Sequence, residues 1–256
     1  MSDRALQDGV IRALADAPYR ASAAWQSRRL ADPERLERFA RFLARHFYVE
    51  RIVHFFKYSR ALARVTGRRP EAILKRPGFE ALLPAAVLGS RETARTVARL
   101  VVAYVSESEG AVPIPYLGDL LRYEETMTVV EAGPRVWRDE DKGVGRGTWD
   151  VPEKVEGTVL LELSYDLPAV LPKLLEPWTE VPQAPAHVTK LLVARSRHGR
   201  VAVARATEAV ASVVELADGS KTLEDLARAA GLRPAELEAT LEGLIELGAV
   251  RFSTGS

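Results

Sequence analysis

The stretch VTKLLVARSRHGRVAVAR, residues 188–205, decides the reading of the C-terminal part of the chain. Val188 to Arg195 is an apolar, β-branched run of strand length, His198-Gly199 supplies a tight turn, and Val201 to Arg205 alternates as a second strand. A β-hairpin is therefore expected. Downstream, three helical patterns follow, Thr207 to Leu216, Leu223 to Ala230 and Ala235 to Leu247, and Val250 to Phe252 can close with a short strand. Thr222 stands three residues before Asp225 as an N-cap, and Pro234 suits the first turn of the third helix. Strand, strand, helix, helix, helix predicts a winged-helix-like domain over residues 186–256.

Upstream, residues 135–185 read as a loop, a strand and a proline-rich connector. The loop is the charged, glycine-rich Asp139 to Gly147, the strand lies within Val155 to Tyr165 with Val159, Leu161 and Leu163 on one face, and Leu167 to Leu175 is a short helical or irregular run. Pro177, Pro182 and Pro185 predict an extended link. Residues 1–134 read as an all-α domain. Asp32-Pro33-Glu34 combines an N-cap, a first-turn proline and an acid at the positive helix end. Leu36, Phe39, Leu43 and Phe47 continue at helical spacing through Phe55, Phe56 and Leu62 toward Gly67, with a break expected near Tyr48, where aromatic and β-branched residues crowd one turn. Arg69-Pro70 to Pro84 should hold one or two brief helices; longer ones run from Ser90 to about Ser106 and from near Pro115. The fold class expected for the whole chain is α+β.

Composition narrows the chemistry. With no cysteine, thiolate catalysis, disulfides and sulfur-ligated metals are excluded. No run approaches the roughly 18 to 20 apolar residues of a membrane span, and Asp3, Asp8 and Asp16 stand where a signal peptide would be basic, so a cytoplasmic location is expected. The net charge of +1 hides an asymmetry: residues 1–106 hold 20 of the 36 Lys and Arg and 10 of the 35 Asp and Glu, leaving 16 basic and 25 acidic residues beyond. Such a basic half could face an acidic partner or nucleic acid.

DNA binding is the obvious role for a winged helix, but the third helix carries Glu236, Glu238, Glu242 and Glu246 and no Lys or Arg. An acidic recognition helix would repel phosphate. The alternative kept open is a DNA-binding transcriptional regulator that uses the basic helical domain. The preferred opportunity is the exposed hairpin edge, which can accept an extended peptide as an added strand. Candidate peptide-binding residues are Val201, Val203 and Arg205 on the strand and Leu237, Leu241 and Leu244 on the third helix, although leucines and valines at such spacing also build cores.

No catalytic or metal constellation emerges. His46, His54, His187 and His198 lack a close ligand pair with a carboxylate, and Glu124 and Glu125 are adjacent, so they point to different sides of a helix. Gly143-Val144-Gly145-Arg146-Gly147 lacks the lysine-threonine ending of a phosphate loop. The chain is expected not to be an enzyme and to need no cofactor or metal of its own.

Two resemblances sharpen this. Ala206 to Val250, above all Glu215-Leu216-Ala217-Asp218-Gly219-Ser220-Lys221-Thr222-Leu223 and Leu244 to Ala249, resembles the peptide-recognition domain of ribosomal peptide modification, the type of the pyrroloquinoline quinone biosynthesis chaperone. That resemblance implies binding of a leader peptide between edge strand and third helix. Pro115-Tyr116-Leu117-Gly118-Asp119-Leu120, with Glu124 following, is similar to the helical region of partner proteins of multinuclear non-haem iron oxidative enzymes, the methanobactin-partner type. This second resemblance implies a heterodimer. The helical domain would dock on a separate iron enzyme, the iron would belong to that partner, and the chain would present a ribosomal precursor peptide to it. The basic N-terminal extension and the loop 139–147 depart from that pattern.

Overall fold

The structure is a computed structural model that describes residues 3–28, 32–107, 113–134 and 150–254. It is a mixed α+β fold divided into two compact units, residues 1–128 with 174–181 and residues 129–173 with 182–256. Among the described residues no helix is long and apolar enough to cross a membrane.

In the first unit the regular elements among the described residues are helical, apart from a single bridge between Asp16 and Val87. The helices are α1 (Asp3–Ala15), α2 (Ala17–Ala21), α3 (Ala23–Gln26), α4 (Pro33–Phe55), α5 (Lys57–Ala61), α6 (Ala63–Thr66), α7 (Pro77–Leu82), α8 (Arg91–Ser106) and α9 (Leu117–Glu131, whose last three residues belong to the second unit). Two short 3-10 turns, Pro70–Lys75 and Leu83–Ala85, flank α7. Asp32 caps α4 by accepting from the Arg35 amide at 2.8 Å, and Ser90 caps α8 through the Thr93 amide. Tyr48, Ile52, Phe56, Phe79, Val97, Val101 and Leu121 are fully buried in one cluster at the centre of this unit.

The break expected near Tyr48 falls instead at Phe56. Tyr48 is 2% exposed inside α4 and packs edge-on to Phe47 and Phe79, so its turn stays regular. At Phe56, φ −98° and ψ 32° leave the helical region, and the chain restarts as α5 and α6 before Gly67 ends it with φ +67°.

The second unit holds β1 (Asp150–Lys154), β2 (Val159–Leu163), α10 (Leu167–Leu175, whose last two residues belong to the first unit), β3 (Thr189–Arg195), β4 (Val201–Arg205), α11 (Glu208–Leu216), α12 (Leu223–Ala230), α13 (Pro234–Leu247) and β5 (Val250–Thr254). β2, β3 and β4 form an antiparallel sheet in that order, and β1 pairs antiparallel with β5 in a separate two-stranded ladder. The strand expected within Val155 to Tyr165 forms as β2 and joins the sheet through β3, paired Leu161 to Leu191 and Val159 to Val193. Asp150–Lys154 was not anticipated as a strand; the glycine-rich loop 139–147 lies outside the described residues.

One face of the sheet meets the helices. Leu192 and Ala194 of β3 join Val213, Val214, Leu226, Leu237, Leu241 and Leu244 in the core of the unit. Side chains alternate along a strand. Leu191 and Val193, also buried, therefore lie on the opposite face with Leu161 and Val159.

Candidate functional site

The hairpin register settles what the edge of the sheet can do. Ala206 donates its amide to the Lys190 carbonyl at 2.8 Å, and Ser196 donates to the Arg200 carbonyl at 2.8 Å. In an antiparallel ladder, hydrogen-bonded and non-bonded pairs alternate. The pairs Leu192 with Ala204 and Ala194 with Ala202 then exchange bonds across the hairpin, while Val193–Val203, Leu191–Arg205 and Arg195–Val201 do not. The amides and carbonyls of Val201, Val203 and Arg205 consequently point away from β3. Among the described residues no strand pairs with that side of β4, so those three residues present backbone groups to an incoming chain.

The same register separates the six candidate residues. Opposite residues on paired strands share a face, so Ala202 and Ala204 stand with Leu192 and Ala194 toward α13, and Val201, Val203 and Arg205 project from the other face. Arg205 confirms the direction by donating to the Asp166 carboxylate at 2.6 Å, ahead of α10, and this bond holds the Asp166 carboxyl below its usual range. Leu237, Leu241 and Leu244 are 2%, 0% and 3% exposed. They are core, and the pockets expected from Val203 and Arg205 together with Leu241 and Leu244 do not form, because the two sets face opposite sides of the sheet.

What the helix side offers at the edge is space above alanine. Ala202 and Ala204 are half-buried while their β3 neighbours Leu192 and Ala194 are closed over. A strand added beside β4 would place every second side chain on this face, next to two methyl groups. Val-Ala-Val-Ala at 201–204 was the available signal: the small residues mark the face toward the helix. Glu238, Glu242 and Glu246 are exposed on α13, and Glu236 is paired with Arg233.

The runs that carry the resemblances have defined structural duties. In the 215–223 run, the Ala217 carbonyl accepts from the Lys154 amide at 2.7 Å, and the Gly219 amide, with φ +78°, donates to the Pro152 carbonyl at 3.0 Å. Asp218 gathers the Ser220 amide, the Ser220 hydroxyl and the Lys221 ammonium, which drive its carboxyl well below the ordinary range. Thr222 then caps α12 through the Asp225 amide. This run is a turn clamped to β1. In the 244–249 run, Gly248 ends α13 with φ +82°, and a Cβ there would lie 2.5 Å from the Arg195 carbonyl oxygen.

The 115–124 motif in the first unit buries Tyr116, Leu120 and Leu121, and its carboxylate Glu124 is completely enclosed. Glu124 accepts from the Tyr58 amide at 2.8 Å, the Ser59 amide at 3.2 Å and the Ser59 hydroxyl. These are first-turn groups of α5, whose own N-cap position, Phe56, offers no side-chain acceptor. Burial pushes the Glu124 carboxyl up to about 8, against the pull of those three donors and of Lys57.

The arginines of the first unit are largely engaged. Arg20 and Arg41 share Glu37, Arg45 meets Glu80 and Arg60 meets Glu71. The guanidinium groups of Arg12, Arg28, Arg51, Arg64 and Arg68 lie over Tyr19, Trp25, Phe47, Trp178 and Tyr104, where they act partly as packing. Of the histidines, His46 pairs with Glu50 at 3.3 Å and His54 sits edge-on to Phe55. Among the described residues no three His, Asp or Glu side chains gather as a metal would require. The sequence matches no protein-family model, and no curated protein matches it.

Proposed function

We propose that the chain is a non-catalytic adaptor that takes up an extended peptide on the outer edge of β4 and presents the rest of it to a partner enzyme. The observation that carries this reading is the outer edge of β4, which no strand pairs among the described residues: the alternate residues Val201, Val203 and Arg205 turn their backbone groups away from β3, with a half-open alanine face beside them. Main-chain bonds to an edge hold a peptide with little demand on its sequence, and the side-chain face then selects. The second unit places the β3–β4 hairpin ahead of three helices, an order that supports a winged-helix-like reading and the resemblance to leader-peptide recognition domains. On that resemblance the peptide is the leader of a ribosomal precursor, and the partner is a multinuclear non-haem iron oxidative enzyme that supplies the iron and the chemistry. Holding the leader makes modification of the attached core nearly intramolecular. Exposed carboxylates on α13 suit a leader with basic residues.

The test begins with co-expression alongside the neighbouring reading frames, affinity purification and mass spectrometry. A recovered short precursor peptide is then added back to the pure chain while amide exchange is followed residue by residue. The reading expects new protection of the Val201, Val203 and Arg205 amides. Recovery of nucleic acid alone, bound in a salt-sensitive manner, would transfer the function to the basic helices and end the adaptor reading.

A further inference from the structure

Helix α4 carries an unpartnered face. Its inward side is Ala40, Ala44, Tyr48 and Ile52, all buried. At about 100° per residue, the line Arg35, Phe39, Phe42, His46, Glu50 runs along the opposite side of the cylinder. Phe39 and Phe42 are 49% and 60% exposed, the largest aromatic side chains left open on the described surface. They lie nearly parallel, 14° between rings with centroids 6.3 Å apart, and His46 continues the row at 6.1 Å and 6°. A hollow lined by Leu36, Arg38, Phe39 and Phe42 opens beside them. Exposed phenylalanine in a row costs solubility unless something covers it.

The charge pattern says what covers it. The line begins with a cation, Arg35, and ends with an anion, Glu50, with aromatic rings between. A copy of the same helix laid antiparallel brings Arg35 of each to Glu50 of the other, Phe39 to His46, and Phe42 to the twofold axis. A parallel arrangement would oppose Arg35 to Arg35, His46 to His46 and Glu50 to Glu50, so the pattern selects against it. On the flank, Arg38, Arg41 and Arg45 are held by Glu34, Glu37 and Glu80 of their own molecule and leave no row of unpaired charge. Those same carboxylates make the surface a poor match to a phosphate backbone.

We infer that α4 is the seam of an antiparallel, twofold-symmetric homodimer. The seam spans about 22 Å at 1.5 Å per residue, and a contact confined to one helix is small for a stable interface, so the dimer is of the weak class that exchanges with monomer. This surface belongs to the first unit and the β4 edge to the second, and the two readings rest on different observations and succeed or fail independently.

Sedimentation velocity on the full chain from about 1 to about 300 µM, a range that brackets such an affinity, should show concentration-dependent conversion to dimer. Phe42→Glu should remain monomeric throughout with its melting temperature kept, since the residue is exposed. Arg35→Glu and Glu50→Arg should each weaken the dimer about tenfold by setting like charges together, and the double exchange Arg35→Glu with Glu50→Arg should restore it. A monomer at the top concentration, a dimer indifferent to Phe42→Glu, or a double exchange that fails to restore association would each overturn the assignment.

Discussion

The carboxylate of Glu124 closes the start of the helix at Ser59, accepting its amide at 3.2 Å and its hydroxyl across 65 residues of sequence. A buried acid whose carboxyl is raised from 4.5 to about 8 has a definite stability signature. Between those two pH values the folded chain holds a proton that the unfolded chain has released, so stability is fully present below about 4.5 and declines as pH rises to about 8. The decline should be on the order of a few kcal/mol. Urea melts at pH 5, 6, 7 and 8 should show it, and Glu124→Gln, which cannot titrate, should flatten it. A wild-type curve as flat as the variant's would contradict the assignment.

Much of the secondary structure could be read from side-chain period and caps: Asp32, Ser90, Thr207 and Thr222 all mark starts that the structure places within a residue. The break in the long helix could not, because its cause lies elsewhere in the chain. Nothing local to Phe56 announces a stop; the acceptor that stabilises the interruption is Glu124 on α9. β1 escaped for a similar reason, since Asp150–Lys154 is polar with an internal proline and exists as a strand through pairing with β5. In the candidate site, the edge residues Val201, Val203 and Arg205 were legible from alternation. That they lie on the sheet face opposite Leu241 was not, since that depends on the register with β3.

The outward amide of Val203 permits a test that spares the fold. Proline at an edge position whose N–H faces away from the sheet removes no ladder bond. Val203→Pro should therefore melt within about 1 kcal/mol of wild type, whereas Ala204→Pro deletes a bond to Leu192 and should lose about 3 kcal/mol. Peptide affinity, read by titration calorimetry with the recovered leader, should fall at least about tenfold in Val203→Pro, the cost of one main-chain bond. Unchanged affinity would move the binding strand away from β4.

Gly248 cannot be replaced without moving the hairpin. Its φ of +82° disfavours any side chain, and a Cβ would lie 2.5 Å from the Arg195 carbonyl oxygen and 2.9 Å from the Ser196 Cα, both backbone. Gly248→Ala should cost about 3 kcal/mol, combining left-handed strain with the clash. Thermal melting of Gly231→Ala provides the control. Gly231 also has positive φ but nothing within 4 Å of its Cβ, so it should lose only about 1 kcal/mol. Equal losses would mean that the hairpin yields freely at Arg195.

Leu241 and Val203 separate the core from the edge. Leu241 is 0% exposed within the helical core, so Leu241→Glu buries a charge without a partner and should unfold the second unit, visible as lost ellipticity and lost cooperativity on melting. Leu241→Ala should fold but lose about 3 kcal/mol through its cavity. Val203 is half-buried on the opposite sheet face, where a glutamate can reach solvent, so Val203→Glu should keep its melting temperature within a few degrees. If the leader lies along β4, Val203→Glu should also weaken it by crowding one face of the added strand, while folded Leu241→Ala binds nearly as wild type. The reverse ranking, with Leu241→Ala impaired and Val203→Glu intact, would put the peptide against α13 and require the helix to open its core to receive it.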